Sequence, residues 1–175
     1  FLQQHDDVAA IGPKILSGDG TLQRTGVSFP SLWNIFSESL FLDMMFPRSR
    51  IFGRHRRLYE NPDAVYRVDY VKGSCLMMKR EPLEEVGLLD EKFFMYFDEV
   101  DLCFRLQQRG WNIVYVPHAV ITHYGGGGAT FYDESRLTSF YRSYILFLKK
   151  HYSVFRQTMF RILLVWRSLV RVAVF

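Results

Sequence analysis

The 175-residue sequence has only two cysteines and six prolines, and arginines interrupt its apolar segments before any reaches the roughly 18 residues that span a bilayer. A disulfide scaffold is therefore excluded as the source of stability. Cys75 and Cys103 each sit inside an apolar run, SCLMM and DLCFRL, where small buried thiols are expected and a reducing, cytoplasmic setting fits. No charged n-region followed by an apolar h-region opens the chain, and no internal repeat occurs. There is also no initiator Met: Phe1-Leu2-Gln3-Gln4 has the look of a helix interior, so a fragment of a longer protein is expected.

What is present is ordinary globular material, 49% hydrophobic and 23% charged, with a high aromatic content of 17% spread along the length. This amount of chain buries the core of one domain. The net charge of +4 comes mainly from a basic run at 51–58 and a basic tail, a weak pointer to a polyanionic or membrane-surface partner.

The pattern alternates strand and helix signals, which predicts an α/β fold. Val8 to Leu16 reads as a short buried strand broken by Gly12-Pro13, Thr21 to Phe29 as a second, and Tyr66 to Lys79 as a long strand or strand pair. Residues 30–62 predict one or two helices in a long insertion. Arg80 to Val86 has Pro early and Gly87 late, the asymmetry of a short helix, and Asp98 to Arg109 follows as a helix closed by Gly110. Asn112 to Thr122 is a strand bent at Pro117, and helices are expected over Glu134–His151 and Thr158–Phe175.

Three features carry chemistry. Asp98, Glu99 and Asp101 cluster at a helix start, where acids ordinarily serve the dipole, but Phe93-Phe94-Met95-Tyr96-Phe97 before them predicts an aromatic wall that would hold a carboxylate for work as a general base. His123 follows a strand. Gly125, Gly126, Gly127 and Gly128 beside it predict a flexible loop allowing close backbone approach. Imidazole with carboxylate suits a divalent cation of the manganese type.

Three blocks, GPKIL…DGTLQ at 12–23, VDYVKGSCLMMKREPLEEVGLLDEKFFMYFDEVDLCFRLQQRGWNIVYVP at 68–117 and ITHYGGGGAT at 121–130, together resemble the second half of bacterial family 2 glycosyltransferases, especially the rhamnosyltransferase-like branch. The resemblance covers roughly residues 8 to 150. It implies a partial GT-A (Rossmann-like) fold: residues 1–150 as the acceptor and catalytic-base part, 151–175 as a basic amphipathic C-terminal helix, and the N-terminal nucleotide-binding half with its Asp-X-Asp motif absent. Asp6-Asp7 lies too close to the first strand to stand in for that motif.

The resemblance places the base in the acidic pair before Asp-Leu-Cys-X-Arg. Glu99 is the first choice, because the second position of the pair is the base in related enzymes, and Asp98 is the second; many relatives carry Asp where this chain has Glu99. It assigns Gly73, Ser74 and Asp101 to the acceptor site, with a β-bulge the alternative reading of Gly73-Ser74. It makes Asp90 and Arg105 structural supports, Arg105 pairing with Asp101 one turn away. His123 matches a ligand for Mg or Mn whose other ligands lie in the absent half. Trp111 is expected in the core.

The implied activity is inverting transfer of a hexose, with rhamnose from a dTDP or similar nucleotide-sugar as the candidate, to a cell-surface polysaccharide or lipid-linked glycan, with the truncated chain alone inactive. A non-catalytic glycan- or membrane-binding module is the competing reading. Nucleic acid is not expected, because the aromatics around Arg54-His55-Arg56-Arg57 lack an RNA-binding arrangement. In the tail, Arg156, Arg161, Arg167 and Arg171 among Leu, Val, Trp and Phe suit the anionic inner face of the cell membrane, or equally a helix packed on protein.

Overall fold

The apolar run Val8–Leu16 forms β1, the middle of the principal sheet, with Val8, Ala9, Ala10 and Ile15 buried. The structure, a computed structural model, describes residues 1–124 and 134–174, so the predicted Gly125–Gly128 loop lies outside the described residues. β1 pairs in parallel with the long strand Asn112–Thr122, and the long connection between them carries both strands and helices.

Contrary to expectation, Gly12-Pro13 does not break β1. Pro13 still pairs with Val116, and the next pair is Lys14 with Val120, so residues 117–119 of the partner strand bulge out of the ladder. The irregularity falls where Pro13 and Pro117 lack the N–H groups that regular pairing requires. Gly12 is needed for packing, because a Cβ there would lie 2.7 Å from Val71 Cγ1.

The two other predicted strands are each divided. Thr21–Phe29 becomes β2 (Leu22–Gln23), antiparallel to β1, and β3 (Gly26–Val27). Tyr66–Lys79 becomes β4 (Tyr66–Val68), β5 (Tyr70–Val71) and β6 (Met77–Met78). With Asn112–Thr122 as β7, the main sheet runs β2-β1-β7-β4 with β6 also on β1, while β3 and β5 form a separate ribbon.

Asp69 is where the chain changes sheets. Val68 pairs with Ile113 of β7, whereas Tyr70 pairs with Val27 of β3. The Asp69 N–H donates to Val27 O, its carboxylate accepts the Phe29 N–H at 2.8 Å, and Gln107 Nε2 donates to the carbonyls of Val68 and Asp69. These bonds satisfy backbone groups that a continuous strand would have left to a ladder.

A short 3-10 helix (Leu2–Gln4) and six α-helices complete the described fold: α1 (Leu32–Ser39), α2 (Leu42–Met45), α3 (Arg80–Val86), α4 (Asp98–Gln108), α5 (Glu134–His151) and α6 (Val154–Val174). Ser31 caps α1 by accepting the Asn34 N–H, and Gly87 and Gly110 follow α3 and α4 at positive φ, the conformation glycine adopts without steric cost. α4 is the keel between two cores. Leu102, Cys103 and Leu106 pack on the sheet with Ala9, Val71 and Ile113, while Val100 packs on the other side with Ile35, Phe97, Phe147 and Phe160.

Cys103 is fully buried and Cys75 half-buried, both free thiols. Trp111 flanks the first core and donates its indole N–H to Glu85 at 2.8 Å. Phe160 is buried, so α6 is packed on protein along part of its length; Ile162, Val165, Trp166 and Leu169 remain exposed. Among the described residues no helix is long and apolar enough to cross a membrane.

Candidate active site

The approach to α4 is a strained turn. Tyr96 and Phe97, neither of them glycine, adopt φ of 65° and 68°, a left-handed conformation that costs on the order of 1 kcal/mol per residue. Burial of the Phe97 ring against Phe140, Tyr144 and Phe147, with centroids 5.2–5.5 Å away, offsets that cost. The predicted aromatic wall is not a single surface: Phe93 and Phe97 belong to the core, whereas Phe94 is 88% exposed. The two end rings of the run, Phe93 and Phe97, turn inward, while Phe94 and Tyr96 between them stay exposed.

This turn delivers Asp98 and Glu99 to the first turn of α4, both half-buried. Glu99 Oε1 accepts the Gly73 N–H at 3.2 Å. Burial pushes the Glu99 carboxyl above its ordinary value and the Asp98 charge adds to the rise, while the Gly73 hydrogen bond works the other way. A carboxylate short of solvation and held in place is suited to accept a proton.

Gly73 and Ser74 are exposed in the loop between β5 and β6 and take part in neither ladder, so they are not a β-bulge. A Cβ at Gly73 would make ordinary contact, 3.6 Å, with Glu99 Cδ. A larger side chain there would cover the carboxylate.

Asp101, predicted at the acceptor site, is corrected by its surroundings. It has no exposed surface, and its oxygens are occupied by Arg105 Nε at 2.8 Å, Lys150 Nζ at 2.8 Å and His151 Nε2 at 2.6 Å. Burial alone would raise its pKa, but the hydrogen bonds from His151, Lys150 and Arg105 outweigh burial and bring it down to about 2. Asp101 therefore ties α4 to the end of α5.

The predicted Arg105–Asp101 pair is present, and the same guanidinium donates to the carbonyls of Val86, Gly87 and Leu88, closing the C-terminal end of α3. Asp90 accepts from Lys150 at 2.7 Å, which holds its pKa low. Lys150 and His151 had no sequence signal beyond a basic helix end, because their partners lie about 50 residues away in the chain.

His123 directly follows β7, half-buried, with Nδ1 3.0 Å from Gln23 Oε1. The Gln23 amide is oriented by its own bonds: Nε2 donates to His123 O at 2.7 Å and to Ser17 Oγ at 3.1 Å, so the oxygen faces the imidazole. An acceptor opposite Nδ1 requires Nδ1 to carry the proton, which leaves Nε2 as the free lone pair. That is the tautomer a metal-ligating histidine needs when a neighbour fixes its other nitrogen.

His123 thus fits one position of a divalent-cation site. Among the described residues no group of three or more His, Cys, Asp or Glu is placed to hold a metal, so this set does not make a complete site. Gln23 lies 100 residues from His123 in the chain, beyond the reach of local pattern. With Gln23→Leu, the fixed tautomer should be lost: 15N NMR of His123 should move from Nδ1–H toward the mixture of a free imidazole, and an unchanged spectrum would show that Gln23 does not set it.

The segment holding His123 also leads to Glu99. Two residues after Gln23, Thr25 O accepts the Lys72 N–H, and the next residue, Gly73, donates to Glu99. Two surface hollows, of about 380 Å³ beside Arg67 and Asn112 and about 230 Å³ beside Phe94 and Arg142, are lined by neither Glu99 nor His123.

The family model for glycosyltransferase-like family 2 matches residues 52–140, about half the chain and all of the acidic site. The chain belongs to this family. Its mixed sheet flanked by helices is that of a partial GT-A glycosyltransferase.

The similarity runs to rhamnosyltransferases. N-acetylglucosaminyl-diphospho-decaprenol L-rhamnosyltransferase from two Mycobacterium tuberculosis strains is 32% identical over 144 residues, covering 82% of this chain and 46% of that protein. Rhamnosyltransferase WbbL of Escherichia coli K12 is 35% identical over 57 residues, 33% of this chain and 22% of its own length. The low-salt glycan biosynthesis hexosyltransferase Agl10 of Haloferax volcanii is 41% identical over 46 residues, 26% and 15% respectively. This glycosyltransferase-family chain spans less than half the length of the Mycobacterium relatives it matches along most of its own sequence.

Proposed function

We propose that this chain supplies the acceptor side of an inverting glycosyltransferase that moves a hexose, rhamnose by its similarities, from a nucleotide diphosphate sugar to a lipid-linked or cell-surface glycan. The observation that carries the reading is Glu99, a half-buried carboxylate with a raised pKa, fixed by the Gly73 N–H beside the open Gly73-Ser74 loop.

The acceptor hydroxyl binds over Gly73 and Ser74. Glu99 takes its proton as the hydroxyl oxygen attacks the anomeric carbon from the side opposite the nucleoside diphosphate, which leaves with the bonding electrons and inverts the configuration. Asp98 raises the proton affinity of Glu99; Asp90, Asp101 and Arg105 hold α4 in position. A divalent cation, when bound, would balance the diphosphate charge, and His123 would contribute one ligand to it.

Residues 1–150 form the acceptor and base part in this reading, with 151–175 as the appended helix. A lipid-linked acceptor would place the enzyme peripherally at the inner face of the cell membrane. By the same reading the 175-residue chain alone transfers no sugar. Calorimetry with dTDP-rhamnose should show no tight binding, and a tight complex would contradict the assignment of donor recognition to another part of the protein.

A further inference from the structure

Between Asp43 and Glu60 the sequence has no acidic residue but five arginines, interleaved with Met44, Met45, Phe46, Ile51 and Phe52. The fold gathers these into one surface beside α1. Trp33 lies 5.7 Å from Phe36 and 6.1 Å from Phe52 between ring centroids, and Phe46 lies 5.6 Å from Phe52. Met44, Met45 and Ile51 are each more than 60% exposed, a concentration of apolar surface that scattered single residues do not make.

The surface is held open rather than left loose. Ser49 Oγ accepts the N–H groups of Ile51 and Phe52, and Gly53 N–H donates to Ser49 O. Trp33 Nε1 donates to Ile51 O at 2.8 Å, while Ser28 Oγ and Ser37 Oγ donate to the carbonyls of Arg54 and Phe52. Gly53 itself passes so close that a Cβ would meet Pro47 O at 2.3 Å. With its backbone groups satisfied in this way, the segment keeps its apolar side chains outward.

Four of the arginines, Arg48, Arg50, Arg54 and Arg56, are exposed, and among the described residues none has a carboxylate within salt-bridge distance. Arg57 differs: it pairs with Glu60 at 2.9 Å and donates to Arg67 O. The adjoining helix α6 is pinned to α1 by Arg167–Glu38 at 2.6 Å and presents Ile162, Val165, Trp166 and Leu169 on one exposed face.

We infer that residues 33–56 form a membrane-contact surface that seats on a bilayer containing anionic phospholipid, with the methionines, Phe46 and Ile51 entering the interface and the four arginines that lack a carboxylate partner meeting headgroup phosphates. Apolar side chains ringed by cations of one sign suit such a surface. Self-association through this face would bring the two sets of arginines together, which like-charge repulsion disfavours. The inference deepens the proposal of a lipid-linked acceptor, but its test involves no donor, acceptor or transfer, so either can fail without the other.

Flotation of this chain with vesicles of phosphatidylcholine, with and without about 30% phosphatidylglycerol, reads it out. Binding should be at least about tenfold stronger to the anionic vesicles and fall with salt. The Arg48→Glu/Arg50→Glu/Arg54→Glu variant should lose that preference. Met45→Ser/Ile51→Ser should retain binding at low salt and lose the part that survives high salt. Trp166→Ser/Leu169→Ser, on α6, separates the contribution of that helix.

These substitutions are at exposed positions, and thermal unfolding checks that each variant is folded. Equal binding to both vesicle types, parent-like binding by the arginine variant, or capture by single-stranded DNA with none by vesicles would each overturn the assignment.

Discussion

Glu99→Gln is expected to lower sugar transfer in the active enzyme by on the order of 10² to 10⁴-fold while leaving donor affinity unchanged. The amide keeps an oxygen to accept the Gly73 N–H, so the loop and α4 stay in place and only proton acceptance is lost. The pH profile is a second readout. Because burial and Asp98 raise the Glu99 pKa, the acidic limb of the rate should lie above the range of an ordinary glutamate.

Stability moves the other way. With a folded-state pKa above its unfolded value, Glu99 contributes most favourably at low pH, and that contribution is lost as pH rises through the raised value. Glu99→Gln should therefore be at least as stable as the parent at pH 7. A variant that unfolds early would make the rate loss uninformative about the base, and near-parent turnover by a folded variant would move the role to Asp98.

Asp101→Ala is expected to be the most damaging single change to the fold, about 3–5 kcal/mol, because it removes the buried carboxylate shared by Arg105, Lys150 and His151 and leaves only Lys150 with another acidic partner, Asp90. For a chain of this size that corresponds to a fall in Tm on the order of 10 °C. A loss below about 1 kcal/mol would show that the cluster behaves like an exposed ion pair.

The Asp101 contribution also has an acid limit. Its pKa is held at about 2 against an unfolded value of about 3.9, so the stabilisation is present above about pH 4 and disappears as pH falls toward 2. Parent and Asp101→Ala unfolding curves should converge across that window. Parallel curves would mean that the carboxylate gains nothing from its partners on folding.

The helices were the most legible part of the chain. α3 and α5 have the predicted bounds, α4 ends one residue earlier, and α6 begins four residues before the predicted Thr158. Their signals are local: capping residues, terminal glycines and apolar spacing within one or two turns. The strands were legible as apolar runs but not as partners. Nothing local in Tyr66–Lys79 says that Val68 pairs with β7 while Tyr70, two residues on, pairs with β3, since that choice is made by Asp69, Phe29 and Gln107 meeting across about 40 residues.

The site divides in the same way. By itself the sequence determined the family, through blocks of residues in order, and with it the candidate acids Asp98 and Glu99 and the candidate ligand His123. Only the tertiary structure decided that Glu99 is the acid held by Gly73, that Asp101 faces inward to Lys150 and His151, and that the Gln23 amide meets the His123 ring. A residue type states what chemistry a side chain can perform. Its protonation and access are set by burial and by partners 26 to 100 residues away, which fold into contact without leaving a pattern along the chain.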